Sequence, residues 1–191
     1  CPCAQPANRV INSIMHISHN ANSAHIAPVV TIYGCGNVLL GDDGFGPAVI
    51  EQLHRSGLPP SVQALDVGTA IREHLLDYLL LPELRPAMLI VVDAASQQGR
   101  VPGEVRLCTP AELPACKIHD FSLHQFPTVN LLQELQAETG MTVQVLIAQP
   151  SAPIEHFGTG LSPAMRTAVD AACQQIDDII APFTTLEAAL P

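Results

Sequence analysis

The stretch Val29-Val30-Thr31-Ile32-Tyr33-Gly34-Cys35-Gly36-Asn37-Val38-Leu39-Leu40-Gly41-Asp42-Asp43-Gly44-Phe45-Gly46-Pro47-Ala48-Val49-Ile50-Glu51-Gln52-Leu53 decides the fold. Val29 to Tyr33 is a short β-branched run, the pattern of a parallel strand covered on both faces. From Pro47 onward, Val49, Ile50 and Leu53 recur at helical spacing, and proline suits a first helical turn. Between strand and helix lies a glycine-rich turn from Gly34 to Gly46. Strand, turn and helix in that order open a β-α-β unit.

Outward from this unit the alternation continues. Val62 to Leu65 reads as a second strand, ending at Asp66. Thr69 is placed to cap a helix from Ala70 to about Leu81, which Pro82 ends. Met88-Leu89-Ile90-Val91-Val92 is the strongest strand pattern, with Asp93 at its end. Gly103 to Leu107 is a shorter strand, placed at an edge and antiparallel. Pro127 to Glu138 reads as a helix stopped by Gly140, Val143 to Ala148 as a buried strand, and Ser162-Pro163 as the start of a last helix to about Ile180. The order predicts an α/β three-layer sandwich, with a twisted, mostly parallel sheet of about five strands and helices on both faces.

Composition sets the outer bounds. The chain has 191 residues, which suits one domain. It is 48% apolar and 14% charged, enough apolar material for a core and too little charge for disorder. Acidic residues number 18 against 8 basic, a net charge of −10, so the basic footprint of a nucleic-acid or anionic-membrane partner is missing. No apolar run approaches the roughly 20 residues of a membrane span. The six cysteines form no Cys-x-x-Cys pair; Cys35 and Cys173 read as small buried hydrophobes. Reduced thiols and the lack of a visible signal peptide lead to the expectation of a cytoplasmic protein. Residues 28–183 read as the domain and 184–191 as a C-terminal tail. Residues 1–27 carry Cys1, Cys3, His16, His19 and His25 without period. They read as an arm, flexible or artefactual, with a metal-binding arm as the rival interpretation.

In parallel sheets, ligands bind outside the carboxyl ends of the strands. Asp43, Asp66 and Asp93 all follow strands. The glycine-rich turn is no dinucleotide fingerprint, because Leu39 stands where a glycine is needed, and it has no Gly-Lys-Ser or Gly-Lys-Thr. Two aspartates at a helix start repel a phosphate and attract a cation. Taken alone, an Asp-Asp pair is more often a turn with a helix cap, and Asp66 is more often structural. Within Ile118-His119-Asp120-Phe121-Ser122-Leu123-His124-Gln125, one histidine would complete a set of two carboxylates and one imidazole with Asp43 and Asp93. That donor set suits a borderline divalent ion such as nickel, zinc or manganese. His119 could instead act behind the ligands, through Asp120. No Gly-x-Ser-x-Gly elbow and no His-Glu-x-x-His helix competes.

These blocks resemble a known family. Gly34-Cys35-Gly36-Asn37, Gly41-Asp42-Asp43-Gly44-Phe45-Gly46-Pro47, Asp66-Val67-Gly68-Thr69, Leu89-Ile90-Val91-Val92-Asp93-Ala94, Pro102-Gly103-Glu104-Val105, Ser122-Leu123-His124-Gln125 and Gly158-Thr159-Gly160-Leu161-Ser162-Pro163 are similar, in order, to blocks of the [NiFe]-hydrogenase maturation endopeptidases. Val67 replaces a glycine of the family's Asp-Gly-Gly-Thr turn, and Asp43 stands where some members have Glu. The resemblance implies a protease that removes the C-terminal extension of a hydrogenase large-subunit precursor once nickel has been inserted. It implies Asp43, Asp93 and His124 as metal-contacting and catalytic residues, with Asp42, Asp66, Asn37 and Gln125 as accessory groups. Nickel would come with the substrate, and another divalent cation could occupy the isolated protein. The protein is expected to act as a monomer on the precursor, without nucleic acid or membrane. Two alternatives stand beside it: a noncatalytic nickel-dependent maturation chaperone on the same fold, and a nucleoside hydrolase-like α/β enzyme.

Overall fold

The computed structural model describes residues 27–113, 125–154 and 157–184. Elements follow in the order β1 (Val30–Cys35), α1 (Phe45–Ser56), β2 (Val62–Gly68), α2 (Ile71–Leu80), β3 (Met88–Ala94), β4 (Val105–Cys108), α3 (Gln125–Thr139), β5 (Thr142–Ala148) and α4 (Pro163–Thr184). Short 3-10 turns occupy Gly41–Gly44, Pro82–Leu84 and Pro110–Glu112. The expected alternation is therefore present, element by element. The expected arm, and the tail beyond residue 184, lie outside the described residues.

The sheet has the order β2-β1-β3-β5-β4. β1 pairs in parallel with β2 and β3, and β3 in parallel with β5. β4 runs antiparallel at the edge, as expected of this shorter strand. The central strands are buried along their length, which explains why β1, β3 and β5 read as nearly continuous apolar runs. Two cores sandwich the sheet. One joins Ile32, Ile90 and Leu146 to Phe45, Val49 and Leu53 of α1 and Met165, Ala172 and Ile176 of α4. The other joins Tyr33, Val91 and Val145 to Leu75 and Tyr78 of α2 and Leu132 and Leu135 of α3. Cys35 and Cys173 are buried in these layers, as their apolar neighbours implied. No helix of the described residues is long and apolar enough to cross a membrane.

Two expectations need correction. Thr69 does not cap α2; Ala70 occupies the cap position, with no side-chain hydrogen bond. Ala70 N–H instead bonds the Val67 carbonyl at 2.9 Å, so a backbone turn after β2 serves that end. α4 continues to Thr184, through Pro182 in its last turn, rather than stopping near Ile180. Phe183 packs on the α1 side of the core, and that burial carries the helix past the proline.

Candidate active site

Topology selects the site before any side chain does. From β1 the chain moves outward to β2 by way of α1, then returns across β1 to β3 by way of α2. The sheet order reverses between β1 and β3, and a crevice opens at their carboxyl ends. Asp43 follows β1 and Asp93 is the penultimate residue of β3.

Asp43 sits in the 3-10 turn Gly41–Gly44, which packs against β3. Its side chain is only 9% exposed. Its Oδ2 accepts the Asn37 backbone N–H at 2.7 Å. Two glycines make this arrangement possible. A Cβ on Gly36, whose φ is +127°, would lie 1.8 Å from the Asp43 carbonyl oxygen. A Cβ on Gly46 would lie 2.2 Å from the Cys35 carbonyl and 2.7 Å from that of Val92. The start of α1 is thus pressed against β1 and β3, and the loop after β1 folds directly over Asp43. Phe45, fully buried, anchors the same turn from below; such burial contributes about 1.5–3 kcal/mol.

Asp93 is half-buried and lies opposite Ile147 in the β3–β5 register. Its Oδ1 accepts the Ala94 N–H at 2.9 Å. Since Gly34 pairs with Val92, the chain reaches Cys35 and Asp93 side by side at the end of β1 and β3. The structure therefore brings Asp43 and Asp93 to one crevice. His124 lies outside the described residues, as does His119. Gln125 is the first residue of α3. Among the described residues, no group of three His, Cys, Asp or Glu side chains could hold a metal. Asp43 and Asp93 are, among the described residues, the carboxylates that the topology brings to the crevice.

The remaining acids turn out to hold the scaffold. Asp42 faces away from its neighbour. Its Oδ1 accepts the Ser162 N–H at 2.7 Å, and its Oδ2 accepts the Ser151 N–H at 2.8 Å and the Ser162 hydroxyl at 3.0 Å. Ser162 in turn caps α4, its Oγ accepting the Met165 N–H at 3.4 Å. Asp66 is exposed at the end of β2, and its Oδ1 accepts the Gly68 N–H at 3.0 Å. Asn37 supplies its N–H to Asp43, and its side-chain Oδ1 accepts the Leu39 N–H at 3.0 Å. Gly36 and Gly46 belong to the glycine-rich turn that the sequence marked, and their close packing is what that turn is for. Ser151 was not singled out by sequence, and nothing marked it.

A groove of about 520 Å³ runs from Val38 and Gly44 past Leu161 to His54 and Asp66. A larger hollow, about 800 Å³, opens at the β2 edge beside Tyr33, His74 and Tyr78, away from the two carboxylates. There the Tyr33 and Tyr78 hydroxyls meet at 2.6 Å. Burial first, then the Tyr78 hydrogen bond, pushes the Tyr33 phenol well above its ordinary range.

The fold and the paired acids define an α/β protein with a carboxylate site at the switch point of its sheet. The family model described as hydrogenase maturation protease (HycI) matches residues 47–179. A Methanocaldococcus jannaschii protein that carries the hydrogenase maturation protease name is 33% identical over 148 residues, covering 77% of this chain and 93% of that one. The hydrogenase 2 maturation protease of Escherichia coli is 29% identical over 150 residues, covering 77% and 87%. The solved hydrogenase maturating endopeptidase HybD from Escherichia coli has a TM-score of 0.64 at 25% identity, covering 80% of this chain and 92% of that one. The chain belongs to the hydrogenase maturation protease family and is an endopeptidase. The chaperone and nucleoside hydrolase alternatives give way to that membership.

Proposed function

We propose that this protease removes the C-terminal extension of a [NiFe]-hydrogenase large-subunit precursor after nickel insertion, with Asp43, Asp93 and His124 meeting the nickel that the precursor carries. The observation that carries this reading is the pair of carboxylates at the β1/β3 crevice, one of them buried and backbone-held. A buried carboxylate is costly unless a cation or hydrogen bonds offset it, and the Asn37 N–H is one of the groups that hold Asp43 in place. Two oxygens and an imidazole form an incomplete shell for a borderline divalent ion, which thiolates of the substrate complete. Engaging that ion fixes the scissile bond against the enzyme, converting a diffusional encounter into a positioned reaction. One of the two carboxylates then accepts the proton of the attacking water, while the ion polarises the scissile carbonyl. The enzyme works in the cytoplasm, as a monomer, and needs no resident metal of its own, although a divalent ion can occupy the open site.

The test is incubation with nickel-loaded and nickel-free precursor, read by mass spectrometry. Loss of a short C-terminal peptide from the loaded form alone is the expected result; equal cutting of both forms removes nickel from the reading. His124→Ala is expected to retain the fold by circular dichroism and to process no loaded precursor. Normal processing by that variant overturns its assignment.

A further inference from the structure

Large apolar side chains rarely stand in water in a cluster beside an active site without a partner to cover them. Val38 is 55% exposed, Leu39 53% and Phe157 86%. Backbone pairing gathers them. The Gly158 N–H bonds the Leu39 carbonyl at 3.0 Å, the Gly41 N–H bonds the Gly158 carbonyl at 2.7 Å, and Leu40 and Gly158 form a parallel bridge. Leu39 and Phe157 therefore flank one bridge, and Val38 precedes it. The platform is stiffened from both sides. Asn37 binds the Leu39 N–H, and Asp42 ties the same turn to Ser151 and Ser162. None of the three side chains belongs to either core. Their loop is also the one whose Asn37 N–H holds Asp43, and Val38 forms the near wall of the groove that runs to Asp66.

We propose that Val38, Leu39 and Phe157 form a docking ridge that grips an apolar patch on the folded body of the protein substrate while its tail lies at Asp43 and Asp93. This inference rests on the proposed function and extends it to the surface that selects the substrate. The occupant follows from continuity, because Val38 and Leu39 lie in the loop that leads from β1 to Asp43 and the segment of Phe157 is bridged to that loop. The pairing of the two loops lets the ridge bind without ordering them first, which lowers the entropic cost of association. A few well-packed, desolvated side chains near the centre of a contact carry most of its binding energy.

The experiment compares the full-length protein with Leu39→Ser/Phe157→Ser and with Leu80→Ser, a control on α2 that is 75% exposed outside the ridge. Steady-state processing of nickel-loaded full-length precursor is measured for each, alongside thermal melting and sedimentation velocity. The double variant is expected to melt like the parent, raise KM at least tenfold and leave kcat within twofold. Leu80→Ser is expected to match the parent. A double variant with parental melting and unchanged KM overturns the ridge. So does a parent that sediments as a dimer and a double variant that sediments as a monomer with unchanged KM, since a second copy then covers the patch. If the double variant melts early, Val38→Ser alone is read by the same KM criterion. A parent that processes no precursor overturns the proposed function itself.

Discussion

Asp43 is held by a backbone donor that a neutral amide would keep. Asp43→Asn retains an oxygen for the Asn37 N–H at the cost of a charge-assisted bond, a loss of about 1 kcal/mol. It removes the carboxylate proposed to meet the cation or accept a proton, so processing should fall by at least about 100-fold. A urea titration and a precursor assay on the same preparation separate the two effects; retained activity would show that Asp43 only supports the loop. Gly36→Ala makes the opposite demand. A methyl group would collide with the Asp43 carbonyl at a φ of +127°, where strain alone costs about 1–3 kcal/mol. The expected outcome is a lowered urea midpoint together with lost processing, because the loop must lift off Asp43. At this scale the sequence was half legible. Asp43 and Asp93 were legible as acids that follow strands of a parallel sheet, and the structure places one in the turn after β1 and the other near the end of β3. Asp42 was set apart from Asp43 only through the family resemblance, since adjacent acids look alike until their partners, Ser151 and Ser162, are brought in from 109 and 120 residues away.

At the scale of elements, Asp42 joins the turn before α1 to the start of α4. Asp42→Ala leaves the Ser151 and Ser162 N–H groups without their acceptor and should cost about 1–3 kcal/mol. The measurement is the urea midpoint, with hydrogen exchange at Ser162 and Met165 rising if the α4 cap loosens as expected. Unchanged exchange at both amides would place the tie elsewhere. Strands and helices were largely legible because β1, β3 and β5 are covered on both faces and read as unbroken apolar runs, while α1 and α4 carry helical spacing. Their ends were less so. Thr69 has the chemistry of a cap, but a backbone turn from Val67 serves α2 first, and tertiary burial of Phe183 outweighs the helix-breaking of Pro182. Sheet order was hidden too, because periodicity reports how deeply a strand is buried and not which strand lies beside it.

Among the described residues the acidic charge is mostly a matter of solvated surface, with Asp43 as the buried acid. Two acidic protons inside the cores tie stability to alkaline pH. Burial, then Asp177 and Asp170, pushes the Cys173 thiol from 9.0 up to about 11. Burial, then Tyr78, pushes the Tyr33 phenol upward from 10.0. Both groups are neutral in the folded protein and ionise more readily once unfolded, so above about pH 9 the unfolded chain binds fewer protons. Their contribution is therefore fully present below that pH and is lost as pH rises through the Cys173 interval and then that of Tyr33. The urea midpoint should decline steadily between pH 9 and 11. Tyr33→Phe would lower the midpoint at neutral pH by about 1–3 kcal/mol equivalent, because the buried Tyr78 hydroxyl loses its 2.6 Å partner. It should nevertheless flatten the alkaline decline, and Cys173→Ala should flatten its first part. If the doubly substituted chain keeps the parental slope, the alkaline loss arises from surface repulsion and not from the two cores.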